Sequence, residues 1–163
     1  MPDGTPKSER YGLLTRQVAA LLEGESDWLP NLANVSSAVY ASLPGLNWAG
    51  FYLMRGGELV LGPFQGQPAC VRITPGRGVC GTAATEQVTQ VVEDVEKFPG
   101  HIACDPRSRS EIVVPVVVGG ETVAVLDLDS SRLANFDAAD RQGLEAIVAL
   151  LLDAVDWRAA TRV

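Results

Sequence analysis

Apolar residues along this chain change their spacing from helical to strand-like and back again. From Ser8 to Gly24 they recur at helical intervals, with Tyr11, Leu14, Val18, Leu21 and Leu22 on one stripe and Gly24 as a stop. A second helix is predicted from Asp27, an N-cap, to Leu43. Trp28, Leu32, Val35 and Val39 form its stripe, and Pro44-Gly45 ends it. The period then shortens. Asn47 to Met54 and Glu58 to Phe64 read as strands joined by the tight turn Arg55-Gly56-Gly57. Gln65 to Gly78 reads as a long loop, Val79 to Glu86 as a short helix, and Thr89 to Glu93 as a strand. Phe98 to Ser110 is a second long loop. Glu111 to Val118 and Glu121 to Asp129 form a hairpin around Gly119-Gly120. Pro115 cannot donate to a ladder, so an edge position or a bulge is expected there. The last helix is capped by Asp137, with Asp140 in its first turn. Leu144, Ile147, Val148, Leu151, Leu152 and Val155 trace its apolar face.

This order of helices and hairpins implies an α+β domain: a mainly antiparallel sheet with helices packed on it. Met1 to Lys7 reads as a flexible tail, and residues 8–163 as one domain. The 163 residues, 47% of them hydrophobic, suit a single core. A net charge of -7 argues against nucleic acid and membrane surfaces as partners, since both are anionic. The polar start, Met1 to Arg10, lacks the apolar core of a secretory signal. The apolar runs, such as Ile112 to Val118, are too short to span a bilayer. A cytoplasmic location is therefore expected, where thiols stay reduced and disulfides are usually transient and catalytic.

That expectation gives the three cysteines their meaning. Cys104 sits just before an apolar strand, beside Arg107, Arg109 and carboxylates. Cys70 and Cys80 lie in Gly/Pro-punctuated segments. Loop cysteines near cations are the reactive kind, which suggests a thiol redox enzyme. Cys80 lies near a helix start, where the dipole favours a thiolate; it also fits a small packing residue beside Gly81 and Ala83. Asp127 and Asp129 are two apart on a strand, so they share a face with Val123 and Val125, roughly 7 Å from each other. Carboxylates on an apolar face are costly without a partner. Glu111 opens the neighbouring strand, and crowding by Asp127 and Asp129 should raise its pKa. A surface pair with Arg109 is its simpler reading. Trp48 and Tyr52 share a strand face. His101 with Cys70, Cys80 and Cys104 makes a zinc-type ligand set, although the Cys70-x9-Cys80 spacing is loose.

Six phrases, in order, resemble the free methionine-R-sulfoxide reductases. They are Asn47-Trp48-Ala49-Gly50-Phe51-Tyr52, the run Gly62 to Cys70, the run Gly76 to Ala83, Gly100-His101-Ile102-Ala103-Cys104-Asp105, the run Ser108 to Pro115, and Val125 to Ser130. The resemblance covers about Trp48 to Asp129 and implies a GAF-domain fold. It implies reduction of free L-methionine-(R)-sulfoxide, not the protein-bound residue, with no metal or organic cofactor and with recycling by thioredoxin. Cys104 would be the nucleophile, leaving a sulfenic acid. Cys70 is the leading resolving cysteine and Cys80 the other candidate. Glu111 would face the sulfoxide and protonate its oxygen. Trp48 and Tyr52 would wall in the substrate side chain, and Asp127 and Asp129 would hold its ammonium. Backbone N–H groups around Ile102 to Cys104 would meet its carboxylate. The family often forms homodimers, although this chain does not fix its own oligomeric state. A GAF-type module that senses a small ligand without turnover, and a zinc-stapled structural domain, are the competing readings.

Overall fold

The computed structural model describes residues 4–162. The elements are α1 (Lys7–Leu22), α2 (Trp28–Ser42), β1 (Leu46–Arg55), β2 (Glu58–Gly66), β3 (Arg72–Ile73), α3 (Gly78–Glu86), β4 (Gln90–Val92), β5 (Ser110–Val118), β6 (Glu121–Ser130), α4 (Ala138–Ala154) and α5 (Trp157–Thr161). The strands form one antiparallel sheet in the order β3-β2-β1-β6-β5-β4.

Strand alternation divides the structure into two cores. Ala49, Phe51, Leu53, Ile112, Val114, Ala124, Leu126 and Leu128 point to one face, where α1, α2, α4 and α5 cover them. Fully burying each large apolar side chain there contributes about 1.5–3 kcal/mol. Trp48, Tyr52, Val113 and Val125 point to the other face, where α3 and two long loops close a smaller cluster. The helical layer supplies most of the burial, and the thinner face carries the polar groups.

The caps behave as their residues dictate. Asp27 accepts from the Leu29 N–H at 2.9 Å. Asp137 and Asp140 make a reciprocal capping box at α4. Lys7, read as tail from the sequence, instead begins α1 and pairs with Asp137 at 2.9 Å and with Asp140. Met1 to Asp3 lie outside the described residues. Leu21 and Leu152 leave their predicted stripes, each 37% exposed. At 100° per residue, each stands beside a residue, Leu22 or Leu151, that already occupies the core-facing position.

Other departures are local. The first long loop contains β3, whose two residues pair with Leu59 and Val60 of β2. Helix α5 was also not foreseen. Pro115 lies on an interior strand, but β4 pairs only with Glu111, Ile112 and Val113. Pro115 is therefore past the end of β4, with β6 as its one neighbour. A bulge follows at Val116/Val117, where β6 inserts Val123 as an extra residue. Val123 accordingly packs toward the helical core instead of sharing a face with Asp127 and Asp129.

Tyr11 of α1 donates to Asp140 Oδ1 at 2.9 Å, which fixes its ring against α4. A Cβ at Gly143 would lie 2.1 Å from that ring. Gly143→Ala should therefore destabilise by roughly 1–3 kcal/mol through overpacking, although the same change in an open helix interior stabilises by about 0.5–1 kcal/mol. Urea unfolding reads the sign directly.

Candidate active site

The β5–β6 hairpin places three carboxylates in one corner. Glu111 is opposite Asp129, and Asp127 is opposite Val113, so all three side chains leave the sheet on the same face. Glu111 and Asp127 are only 6% and 5% exposed. Helix α3 lies across them and brings the Cys80 sulfur 4.0 Å from Glu111 Oε1. Gly81 lets this helix lie against the loop that precedes it: a Cβ there would lie 2.7 Å from the Thr74 carbonyl oxygen. On the other side, His101 Nε2 is 3.8 Å from Glu111 Oε2. Burial lowers the His101 pKa, so this imidazole is neutral at pH 7 and brings no charge to the corner.

Burial is also the main reason that Glu111, Asp127 and Asp129 all titrate well above the usual carboxylate range. Charge on Asp127 raises Glu111 and Asp129 further. Asp127 Oδ1 is buried and meets no hydrogen-bond partner among the described residues. The corner thus holds its protons to higher pH than exposed carboxyls do and favours any cation that can reach it.

Aromatic rings and a disulfide form the remaining walls. Trp48 stacks on Phe64 at 5.2 Å and on Tyr52 at 5.9 Å between ring centres. Cys70 and Cys104 are joined in a disulfide across 34 residues of sequence. Each of the two loops that carry them is tied to β1. The Tyr52 hydroxyl donates to the Cys70 carbonyl at 2.9 Å. The Asn47 amide donates to Asp105 Oδ2 and to Ser108 Oγ, both at 3.1 Å. One pocket is lined by Trp48, Tyr52, Cys80, Cys104, Glu111, Asp127 and Asp129 together. Cys70 itself stands behind this wall, with its neighbour Ala69 in it.

A GAF domain family model matches residues 32–156. The free methionine-R-sulfoxide reductase of Escherichia coli (strain K12) is 52% identical over 145 residues, which is 89% of this chain and 88% of that protein. The chain belongs to the free methionine-R-sulfoxide reductases. Solved structures agree. The free methionine-R-sulfoxide reductase from Neisseria meningitidis, in complex with its substrate, is 41% identical with a TM-score of 0.91, covering 98% of this chain and 95% of that one. The reduced fRMsr of Staphylococcus aureus is 49% identical with a TM-score of 0.86, covering 88% and 94%.

Within this free methionine-R-sulfoxide reductase fold, several sequence expectations need correcting. The helix dipole does not make Cys80 a thiolate: burial, then the Asp127 and Glu111 charges, push its thiol up. Arg107 is not free to activate Cys104. Its guanidinium holds Asp105 through two bonds of 3.1 and 2.8 Å and sets that carboxyl to about 2. Glu111 is buried beside His101, not paired with Arg109 at the surface. The Cys104 N–H donates to the Ile102 carbonyl at 3.1 Å, so it is already engaged. A zinc set of Cys70, Cys80, Cys104 and His101 is not assembled, because two of its thiols are bonded to each other and Cys80 is left alone. Asn47 and the Tyr52 hydroxyl are the positioning groups that sequence reasoning missed. Their partners lie 58, 61 and 18 residues away, with no local motif to signal them.

The raised pKa of Asp127 carries a stability consequence. The folded state holds this proton to higher pH than the unfolded chain does, so its contribution is complete at acid pH and is lost as pH rises through the folded-state pKa. Asp127→Asn should then melt higher than the wild type at pH 8, by roughly 2–4 °C per kcal/mol of relieved repulsion. The gain should vanish near the pH at which both states are protonated. Thermal melts of the disulfide form across pH test this; an equal shift at every pH would contradict it.

Proposed function

We propose that this chain reduces free L-methionine-(R)-sulfoxide to methionine through a Cys104 sulfenic acid that Cys70 resolves. The observation that carries the reading is the Cys70–Cys104 disulfide beside a buried carboxylate corner, with Cys104 lining the same pocket. A disulfide of this pair is the state expected at the end of one turnover.

The cycle starts from the two thiols. The Cys104 thiolate attacks the sulfoxide sulfur while protonated Glu111 gives its proton to the sulfoxide oxygen. The hydroxyl then passes from the substrate sulfur to the Cys104 sulfur as the new sulfur–sulfur bond breaks; methionine leaves with an electron pair on its sulfur, and Cys104 is left as a sulfenic acid. Cys70 then attacks that sulfur. The Cys70 proton completes the departing water, the disulfide forms, and the proton that Cys104 gave up on becoming a thiolate restores Glu111. Burial and the neighbouring carboxylates support Glu111 as the proton donor, because they hold its proton to higher pH than an exposed glutamic acid keeps it. Asp127 and Asp129 supply the negative charge that a substrate ammonium needs. Trp48 and the Tyr52 ring offer the apolar wall for its methylthio end, and the Tyr52 hydroxyl keeps the Cys70 loop in reach of Cys104.

The disulfide must be reduced for another turnover. Both cysteines are partly exposed, which supports exchange with an external dithiol, and thioredoxin is the proposed reductant. No helix among the described residues is long and apolar enough to cross a membrane.

Reduced protein incubated with racemic free methionine sulfoxide, thioredoxin, thioredoxin reductase and NADPH should consume only the R epimer by chromatography. Persistence of both epimers, with dithiothreitol also failing as reductant, would turn the reading to a ligand-binding module. Cys104→Ser should abolish turnover. Cys70→Ser should release about one equivalent of methionine and then stall with thioredoxin; unchanged steady cycling in that variant would remove Cys70 as the resolver. Glu111→Gln should lower kcat and flatten the decline of rate with rising pH that deprotonation of Glu111 causes in the wild type.

A further inference from the structure

Cys80 has no task in the cycle above, yet it is buried in the substrate corner. Its sulfur, one Glu111 oxygen and one Asp127 oxygen all lie within 4.8 Å of one another. The three side chains come from α3, β5 and β6, so the sheet and the helix packed on it fix their geometry. Glu111 turns Oε1 toward Cys80 and Oε2 toward His101. A separate observation points to a cation: Asp127 is 5% exposed, and its Oδ1 faces no hydrogen-bond partner among the described residues.

We propose that Cys80, Glu111 and Asp127 form a binding site for a borderline-soft divalent cation such as Zn2+, and that a cation held there blocks the substrate. One thiolate with two carboxylates selects Zn2+, Co2+ or Cd2+ over Mg2+ and Ca2+, which prefer all-oxygen shells. All three residues line the pocket, so a fourth coordination position opens into it. Binding displaces protons from the thiol and from the protonated carboxyl group and releases them to solvent. No oxidation change is involved. The site is inhibitory rather than a cofactor site, since the cation takes the carboxylates assigned above to catalysis and to the ammonium. The blocking half of the proposal rests on that functional reading, whereas the binding half does not.

The Cys70–Cys104 disulfide makes a clean test possible, because Cys80 is then the sole thiol in the chain. Co2+ titrated into the disulfide form at pH 8 should give a near-ultraviolet thiolate-to-metal charge-transfer band that saturates at one equivalent and is displaced by Zn2+. The band should vanish in Cys80→Ser and Cys80→Ala, each verified as folded by circular dichroism. Asp127→Asn should raise the half-saturating Co2+ concentration at least about tenfold, the smallest loss usual even for an outer-sphere partner. No band in the wild type, or a band that survives in both Cys80 variants, overturns the site. For the blocking half, the double variant Cys70→Ser/Cys104→Ser keeps Cys80 as the sole thiol and leaves the pocket without its disulfide. Added methionine-R-sulfoxide should raise the half-saturating Co2+ concentration there. A band that forms normally but ignores the sulfoxide overturns the blocking half and the ammonium assignment while the metal site stands. An absent band in the wild-type disulfide form, when the same protein after reduction still consumes the R epimer, overturns the metal proposal alone.

Discussion

The rest of the structure depends on how Glu111, Asp127 and Asp129 are held together. Like charges crowded in a low-dielectric corner repel strongly, and each buried charge also loses its hydration. The chain relieves this by holding the protons of the group to higher pH than exposed carboxyls keep theirs. It withstands what remains because the hairpin that carries the carboxylates is central. β5 and β6 are paired along nearly their whole length, and β6 is also paired with β1. On the reverse face of these same strands, Ile112, Val114, Leu126 and Leu128 are buried under the helices. A strand of period two can thus anchor a destabilised polar face with an apolar one. Folding stability generated in the helical core is set against electrostatic strain at the pocket.

That division explains where each kind of chemistry sits. The carboxylates, which must keep a fixed spacing to act on one another, stand on paired strands. Cys70 and Cys104, which on the proposed reading must approach, bond and separate, stand on loops. The loops are nonetheless tethered. Tyr52 holds the carbonyl of Cys70, and Asn47 holds the turn just after Cys104. Both tethers start from β1, the strand beside β6, so the loop cysteines and the strand-borne carboxylates share one reference frame. Trp48 lies between these two anchors in sequence and stacks with Tyr52. Aromatic packing and loop positioning are therefore linked on the same strand.

Much of this was legible in the sequence, because periodicity is a local signal. The helix stripes, the Asp27 and Asp137 caps and the two hairpins follow from spacing and turn chemistry alone. The shared face of Glu111, Asp127 and Asp129 follows from strand parity once the hairpin is assigned. Parity failed for Val123, because a bulge inserts one residue and no turn residue announces it. Short elements failed for a related reason: the two residues of β3 and the five of α5 hold too little pattern to read. At the site, residue types were readable but partners were not. Arg107 beside Cys104 in sequence looked like an activating cation, whereas in space it is held by Asp105. Cys80 at a helix start looked like a thiolate, whereas its burial against two carboxylates reverses the shift. In both cases the sequence supplied a local electrostatic effect, a nearby cation or a helix dipole, and tertiary packing replaced it with another.

The carboxylate corner also bears on why the proposed substrate is a free amino acid. A free ammonium brings a full positive charge and several donors, enough to offset two buried carboxylates. The corresponding nitrogen of a residue within a protein is an amide, with no charge and one N–H. It would leave Asp127 and Asp129 buried against an uncharged group, and a site built for a polar partner rejects an analogue lacking it more strongly than an apolar pocket rejects a missing methylene. The walls add a steric argument in the same direction. The pocket is bounded by the Trp48 and Tyr52 rings, by α3 and by the disulfide loop, so a chain continuing from the substrate nitrogen would run into the sheet corner where the carboxylates stand. On the proposed reading, selectivity for the free amino acid and the cost of burying the carboxylates have one origin. The corner is unfavourable until a small cation enters it.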